Sequence, residues 1–348
     1  MSARKAAVLV AGSWGTALAS VLADNEFDVN IWTRNAAQAD EINRDRRNLK
    51  YTDDAELSPR IAATVSMEEA LRGAEAVLFV APSAVMREVA RQAAPYLSPE
   101  SVVIHATKGF EPETMKRMSV VLAEELTGVD PASVVVLSGP SHAEEVIRRC
   151  PTTVVVAAGE LTAAERAQDV LINSYFRVYT NPDAIGVEVG GALKNIIALG
   201  AGLSDGLGFG DNAKAALLTR GLAEIARLGV TMGGHALTFA GLSGVGDLVV
   251  TCTSRHSRNW RAGYMLGQGK PLDDVLRTMG MVVEGVKTTK AAHALARQYE
   301  VSMPITDQLY EVLFAGKEPQ VAVGHLMGRV RTHEIEEIAG ASGVKWTF

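Results

Sequence analysis

A chain of 348 residues predicts two domains rather than one. At 47% hydrophobic, 21% charged and 5% aromatic it has the composition of a globular protein, which excludes a disordered or fibrous chain. Its 34 basic and 40 acidic side chains leave a formal net charge of −6, so no positive surplus exists to neutralise a phosphate backbone, and nucleic acid is not an expected partner.

Arg4 and Lys5 precede an apolar stretch that resembles the start of a leader, but Gly12, Ser13, Trp14 and Gly15 interrupt it within the about 7 to 15 residues a leader core requires. The stretch is therefore read as a first strand entering a first helix. Short apolar, β-branched runs predict strands at 6–10, 29–32, 61–64, 76–80, 102–105, 134–137 and 153–157. Helical periodicity occupies the gaps, for example at 66–72 and 84–94. Strands that are apolar throughout and separated by helices belong in a parallel sheet covered on both faces, a doubly wound α/β domain.

After the stretch 176–179 the pattern changes to long helical windows, among them 212–228 and 282–299, with Pro304 breaking the pattern downstream. The first domain is placed at 1–182 and an all-helical second domain at 183–348. Residues 334–337 read as a solvated helix end. No run of about 18 residues lacks a polar member, so no membrane span is expected. Cys150 and Cys252 form no disulfide framework and no zinc-ligand cluster, which points to a reducing, cytoplasmic compartment and to no metal.

Val10-Ala11-Gly12-Ser13-Trp14-Gly15 lies where the first strand turns into the first helix, the context of a dinucleotide phosphate loop. The full G-x-G-x-x-G pattern would place glycine at Val10. On its own the segment reads equally as a dinucleotide loop or as an ordinary tight strand–helix turn. Arg34, just past the second strand, stands where a residue meets the adenosine ribose; a guanidinium there suits the 2′-phosphate of NADP, and the alternative is a surface arginine. Lys108, after the strand at 102–105, lies at the carboxyl edge where open α/β sheets bind ligands, and Gly139 and Ser141 occupy the turn after a later strand. His142, in that same turn, has no evident Ser or Asp partner and is read as incidental.

From 185 to 203 the only charged residues are Glu188 and Lys194, six apart and so on different helix faces. An ammonium in such an apolar stretch needs a partner in space or snorkels outward. Asp247 is the sole charged residue between Ala236 and Ser254 and is the candidate partner. Ser257, Arg258 and Asn259 then open a helical pattern with an N-cap serine and an arginine beside free N–H groups, a phosphate cradle or an exposed capped helix.

These segments, with Asp205-Gly206-Leu207-Gly208-Phe209-Gly210 and Val283-Glu284-Gly285, together resemble the bacterial NAD(P)-dependent glycerol-3-phosphate dehydrogenases over nearly the whole chain. The resemblance implies reversible reduction of dihydroxyacetone phosphate to sn-glycerol 3-phosphate for phospholipid synthesis, in a cytoplasmic homodimer, with NADPH preferred and NAD as the alternative. It implies Lys194 as acid/base, with Lys108 and Asp247 completing its charge environment. It further implies Gly139, Ser141, Ser257, Arg258 and Asn259 around the substrate, and Gly12, Ser13, Trp14, Gly15, Arg34, Lys108, Ala143, Arg258, Val282 and Glu284 around the cofactor. Val10 departs from the family, which has glycine there. A β-hydroxyacid dehydrogenase shares the domain plan and a helical-domain lysine, but the Ser257-Arg258-Asn259 cradle argues against it. A dinucleotide-binding protein without catalysis is conceivable from Val10 but has no use for Lys194, Lys108 and Asp247 together.

Overall fold

The computed structural model describes residues 4–331, so the expected helix end at 334–337 lies outside the described residues. The chain divides into two compact units after Ala184.

The first unit is built on an eight-stranded sheet in the order β3-β2-β1-β4-β5-β6-β7-β8. Its strands are β1 (Lys5–Leu9), β2 (Asp28–Trp32), β3 (Ile61–Thr64), β4 (Ala76–Phe79), β5 (Val102–His105), β6 (Val135–Ser138), β7 (Thr152–Ala157) and β8 (Phe176–Asn181). The helices of this unit are α1 (Ser13–Asp24), α2 (Ala36–Asp45), α3 (Leu49–Thr52), α4 (Met67–Leu71), α5 (Met86–Ala93), α6 (Met118–Glu125), α7 (Ala143–Val146) and α8 (Leu161–Leu171). Successive strand residues point to opposite faces. Val8, Ile31, Leu78 and Ile104 therefore pack with Leu18 and Val21 of α1, while Leu9, Phe79 and Val103 pack with Val89 of α5 and Val121 of α6. Coverage of both faces explains why β1, β4 and β5 carry no polar alternation.

Two features depart from the expected sheet. β7 runs antiparallel to β6, because residues 139–151 contain only the single turn of α7, too little for the crossover a parallel pair needs. β8, which was not among the expected strands, then pairs in parallel with β7 after α8. Its Arg177, between buried Phe176 and Val178, and the following Tyr179 and Thr180 are exposed, so it lacks the continuous apolar run of the inner strands.

The second unit is helical: α9 (Ala184–Gly206), α10 (Asp211–Thr231), α11 (Asp247–Thr253), α12 (Arg258–Gly267), α13 (Leu272–Met279), α14 (Glu284–Gln298), α15 (Pro304–Phe314) and α16 (Pro319–Met327). Pro304 does not merely end a pattern: it occupies the first turn of α15, where its missing N–H costs nothing. By length and composition α9 could cross a membrane, yet 89% of its most apolar window is buried inside the protein, so its apolarity is that of a core helix. Gly202 of α9 and Gly263 of α12 bring the two helix backbones into contact, since a Cβ on either would lie 1.9 Å from a carbonyl oxygen of the other helix.

Candidate active site

In the first unit the strand order reverses between β1 and β4, and ligands of open α/β sheets bind outside the carboxyl ends at such a point. Val10, the first residue beyond β1, has φ +87°, a conformation for which a β-branched residue is the least suited. Its N–H donates to the Trp32 carbonyl at 3.0 Å, which ties the loop to the end of β2. Its own carbonyl faces α1, where a Cβ on Gly15 would lie 2.3 Å from the Val10 oxygen. The first fingerprint position thus keeps its glycine geometry with valine in place, at a strain on the order of 1 to 3 kcal/mol.

The residues present fit a dinucleotide. Gly12 is the N-cap of α1 and makes no side-chain cap bond, the first turn carries no acidic residue, and the space where a Cβ on Gly12 would project is open to 4 Å. Free N–H groups at a helix start suit a pyrophosphate. Trp14 Nε1 is buried with no hydrogen-bond partner among the described residues, a donor suited to a ligand acceptor. Arg34 is exposed beyond β2, and its guanidinium lies 3.7 Å from Glu88 Oε1.

Lys108 follows β5 and Gly139 follows the neighbouring β6, so the sheet brings their loops together. Lys108 Nζ donates to the Gly139 carbonyl at 3.2 Å, and Ser141 Oγ donates to the same oxygen at 2.9 Å. Gly139 has φ +122°, and a Cβ there would come within 3.1 Å of the Val154 backbone, so glycine is required on both counts. Ser138 Oγ, one residue earlier, is buried with no hydrogen-bond partner among the described residues. The Lys108 loop is braced by Arg87, which donates to both oxygens of Glu111 at 2.7 and 2.8 Å and holds that carboxyl below the usual carboxylate range. His142 and Ala143 lie at the start of α7.

In the second unit Lys194 and Asp247 come together at the core. Lys194 Nζ donates to Asp247 Oδ1 at 2.5 Å and to Thr251 Oγ1 at 2.6 Å, with the two charged side chains only 6% and 1% exposed. Asp247 opens α11 after the π turn Leu242–Gly246, and Thr251, one turn further on, donates to the Asp247 carbonyl at 2.6 Å. Burial also pushes the adjacent Cys252 thiol up to about 12, so it stays protonated beside the pair.

A second buried cluster adjoins on α9. Asn259 Nδ2 donates to Asn195 Oδ1 at 2.9 Å, and Asn259 Oδ1 accepts from the Gly285 N–H at 2.8 Å at the start of α14. Ser257 caps α12 by accepting from the Trp260 N–H at 3.2 Å, and Arg258 donates to the Val282 carbonyl at 3.3 Å. The motifs around Lys194, Ser257 and Glu284, more than sixty residues apart in part, therefore form one region. Thr251 and Asn195 were not singled out in the sequence as site residues. Thr251 had a signal, its spacing of four from Asp247 on a helix, and Asn195 had only its place beside Lys194.

Residues 5–164 match the NAD-dependent glycerol-3-phosphate dehydrogenase N-terminus and residues 183–324 the C-terminus of the same family. The glycerol-3-phosphate dehydrogenase [NAD(P)+] of Bacillus thuringiensis is 60% identical over 96% of this chain and 98% of its own, and that of Bacillus velezensis 56% identical over 96% and 97%. The crystal structure of glycerol-3-phosphate dehydrogenase from Coxiella burnetii superposes with a TM-score of 0.89 at 38% identity, covering 94% of this chain and 99% of the other. The chain belongs to the NAD-dependent glycerol-3-phosphate dehydrogenase family.

Proposed function

We propose that this protein reversibly reduces dihydroxyacetone phosphate to sn-glycerol 3-phosphate, with Lys194 as the acid/base. The observation that carries this reading is the buried Lys194–Asp247–Thr251 triad within a chain of this family. A nicotinamide dinucleotide, when bound, supplies the hydride to C2. Reduction leaves negative charge on the C2 oxygen, and an ammonium held in a low-dielectric site stabilises that charge and then donates its proton to it. Asp247 and Thr251 hold the ammonium in place by accepting from it at 2.5 and 2.6 Å.

In the second unit the start of α12, with Ser257, Arg258 and Asn259, receives the substrate phosphate; in the first unit Lys108, Gly139 and Ser141 form a polar cluster at the carboxyl edge of the sheet. Within the first unit Gly12, Ser13, Trp14 and Gly15 hold the pyrophosphate, Arg34 the 2′-phosphate of NADP in preference to NAD, and Ala143 a further part of the dinucleotide. Following NADPH and NADH absorbance with dihydroxyacetone phosphate tests the reading. Turnover that vanishes in Lys194→Ala supports it, and no oxidation by the unaltered protein overturns it.

A further inference from the structure

The phosphate loop is held from behind by two side-chain amides that lie outside its own motif. The Ala11 carbonyl accepts from Gln38 Nε2 at 2.7 Å and from Asn48 Nδ2 at 3.1 Å. Both amides spend their second hydrogen inside the same network: Gln38 Nε2 donates to Asn48 Oδ1 at 3.0 Å, and Asn48 Nδ2 donates to Thr16 Oγ1 at 2.8 Å. The Thr16 hydroxyl donates in turn to the Gly12 carbonyl at 2.9 Å. Gln38 Oε1 accepts from Thr33 Oγ1 at 2.7 Å, and Thr33 directly precedes Arg34. Asn48, Thr16 and Ala11 are buried, so the Asn48 bonds are shielded from water, and those of the half-buried Gln38 are partly shielded.

The consequence follows from peptide geometry. No cis bond occurs among the described residues, and in a trans peptide the N–H points opposite to the C=O. Two donors fixed on the Ala11 oxygen therefore turn the Gly12 N–H away from Gln38 and Asn48. Val10, with φ +87°, strains the chain one residue earlier, and such a conformation persists only where its surroundings over-determine it.

We propose that Gln38 and Asn48 are positioning residues for the cofactor, holding the Ala11–Gly12 peptide in its receiving orientation against the strain at Val10. Through Thr33 the same network sets the loop and the Arg34 segment in register. The proposal rests on the assignment of this loop to the pyrophosphate given above. Because the pyrophosphate is common to both dinucleotides, losing the clamp weakens both alike, unlike loss of an arginine that reads only one.

Gln38, half-buried, is the side chain to vary. Fluorescence titration of Gln38→Ala should show NADPH and NADH each bound about tenfold more weakly, about 1.4 kcal/mol, because the bond to the Ala11 carbonyl is lost together with those to Asn48 and Thr33, with kcat at saturation little changed. In the Val10→Gly background, where no strain opposes the clamp, the same substitution should cost less than about threefold. Affinities within about twofold of the unaltered protein, or an equal loss in both backgrounds, would overturn the proposal and leave Gln38 a structural residue. Hydrogen exchange separates this from the assignment beneath it. No protection of the 12–15 amides by NADPH in the unaltered protein removes the loop assignment and the proposal with it, whereas protection with unchanged affinity in Gln38→Ala removes the proposal alone.

Discussion

Lys194 and Asp247, 53 residues apart in the chain, form an ion pair of 2.5 Å in the core of the helical unit. Burying two charges costs several kcal/mol unless each satisfies the other, and removing one partner strands the other in a medium that cannot solvate it. Lys194→Ala should therefore lower kcat by at least about a hundredfold through loss of the proton donor. It should also lower stability by about 3 to 5 kcal/mol. Retained NADPH binding in the variant shows that the nucleotide unit is intact, and near-normal turnover would remove Lys194 from the chemistry.

Arg34 lies exposed at the end of β2, its guanidinium 3.7 Å from Glu88 Oε1. Arg34→Ala should weaken NADPH by about 1.5 to 3 kcal/mol, the worth of a hydrogen bond to a charged group, and leave NADH nearly unchanged. Equal losses for the two cofactors, measured by titration, would assign Arg34 a structural role only.

Val10 carries glycine geometry on a β-branched side chain. Val10→Gly should tighten NADPH about tenfold by relieving the strained turn, with a smaller effect on kcat. Strain relief on the order of 1 to 3 kcal/mol exceeds the roughly 1 kcal/mol by which glycine favours the unfolded chain, so the melting temperature should rise. Gly15→Ala should act in the opposite sense, since its Cβ would collide with the Val10 carbonyl. Calorimetric melting of both variants checks the pair, and a lower melting temperature for Val10→Gly would show that the turn is unstrained.

Glu224 of α10 accepts from the Ile305 N–H at 2.6 Å and the Thr306 N–H at 3.1 Å at the start of α15. Burial nevertheless pushes its carboxyl up to about 7 from an ordinary 4.5. A group that holds its proton more tightly when folded contributes stability that is fully present below about 4.5 and is lost as pH rises through about 7. Glu224→Gln cannot ionise and lacks this slope. Relative to the unaltered protein it should gain stability, on the order of a few kcal/mol, between pH 5 and 8 in denaturant titrations. A pH-independent difference between the two proteins would show that Glu224 does not titrate in that range.

The alternation of apolar runs with helical periods determined the doubly wound unit and most of its strands to within a residue or two, because strands covered on both faces are apolar throughout. The isolation of Lys194 and Asp247 in apolar sequence likewise marked both as groups in need of a counter-charge. Tertiary structure decided what local pattern does not encode. β8 lies where alternate residues meet solvent, so it lacked the inner strands' signature, and the reversed direction of β7 follows from the short path after β6. The amides of Gln38 and Asn48 reach Ala11 only because α2 and α3 fold back on the first loop. The positive φ of Val10 came from the same source: a valine's sequence preference is for extended backbone, and the packing of its carbonyl on Gly15 and its N–H on Trp32 overrides that preference.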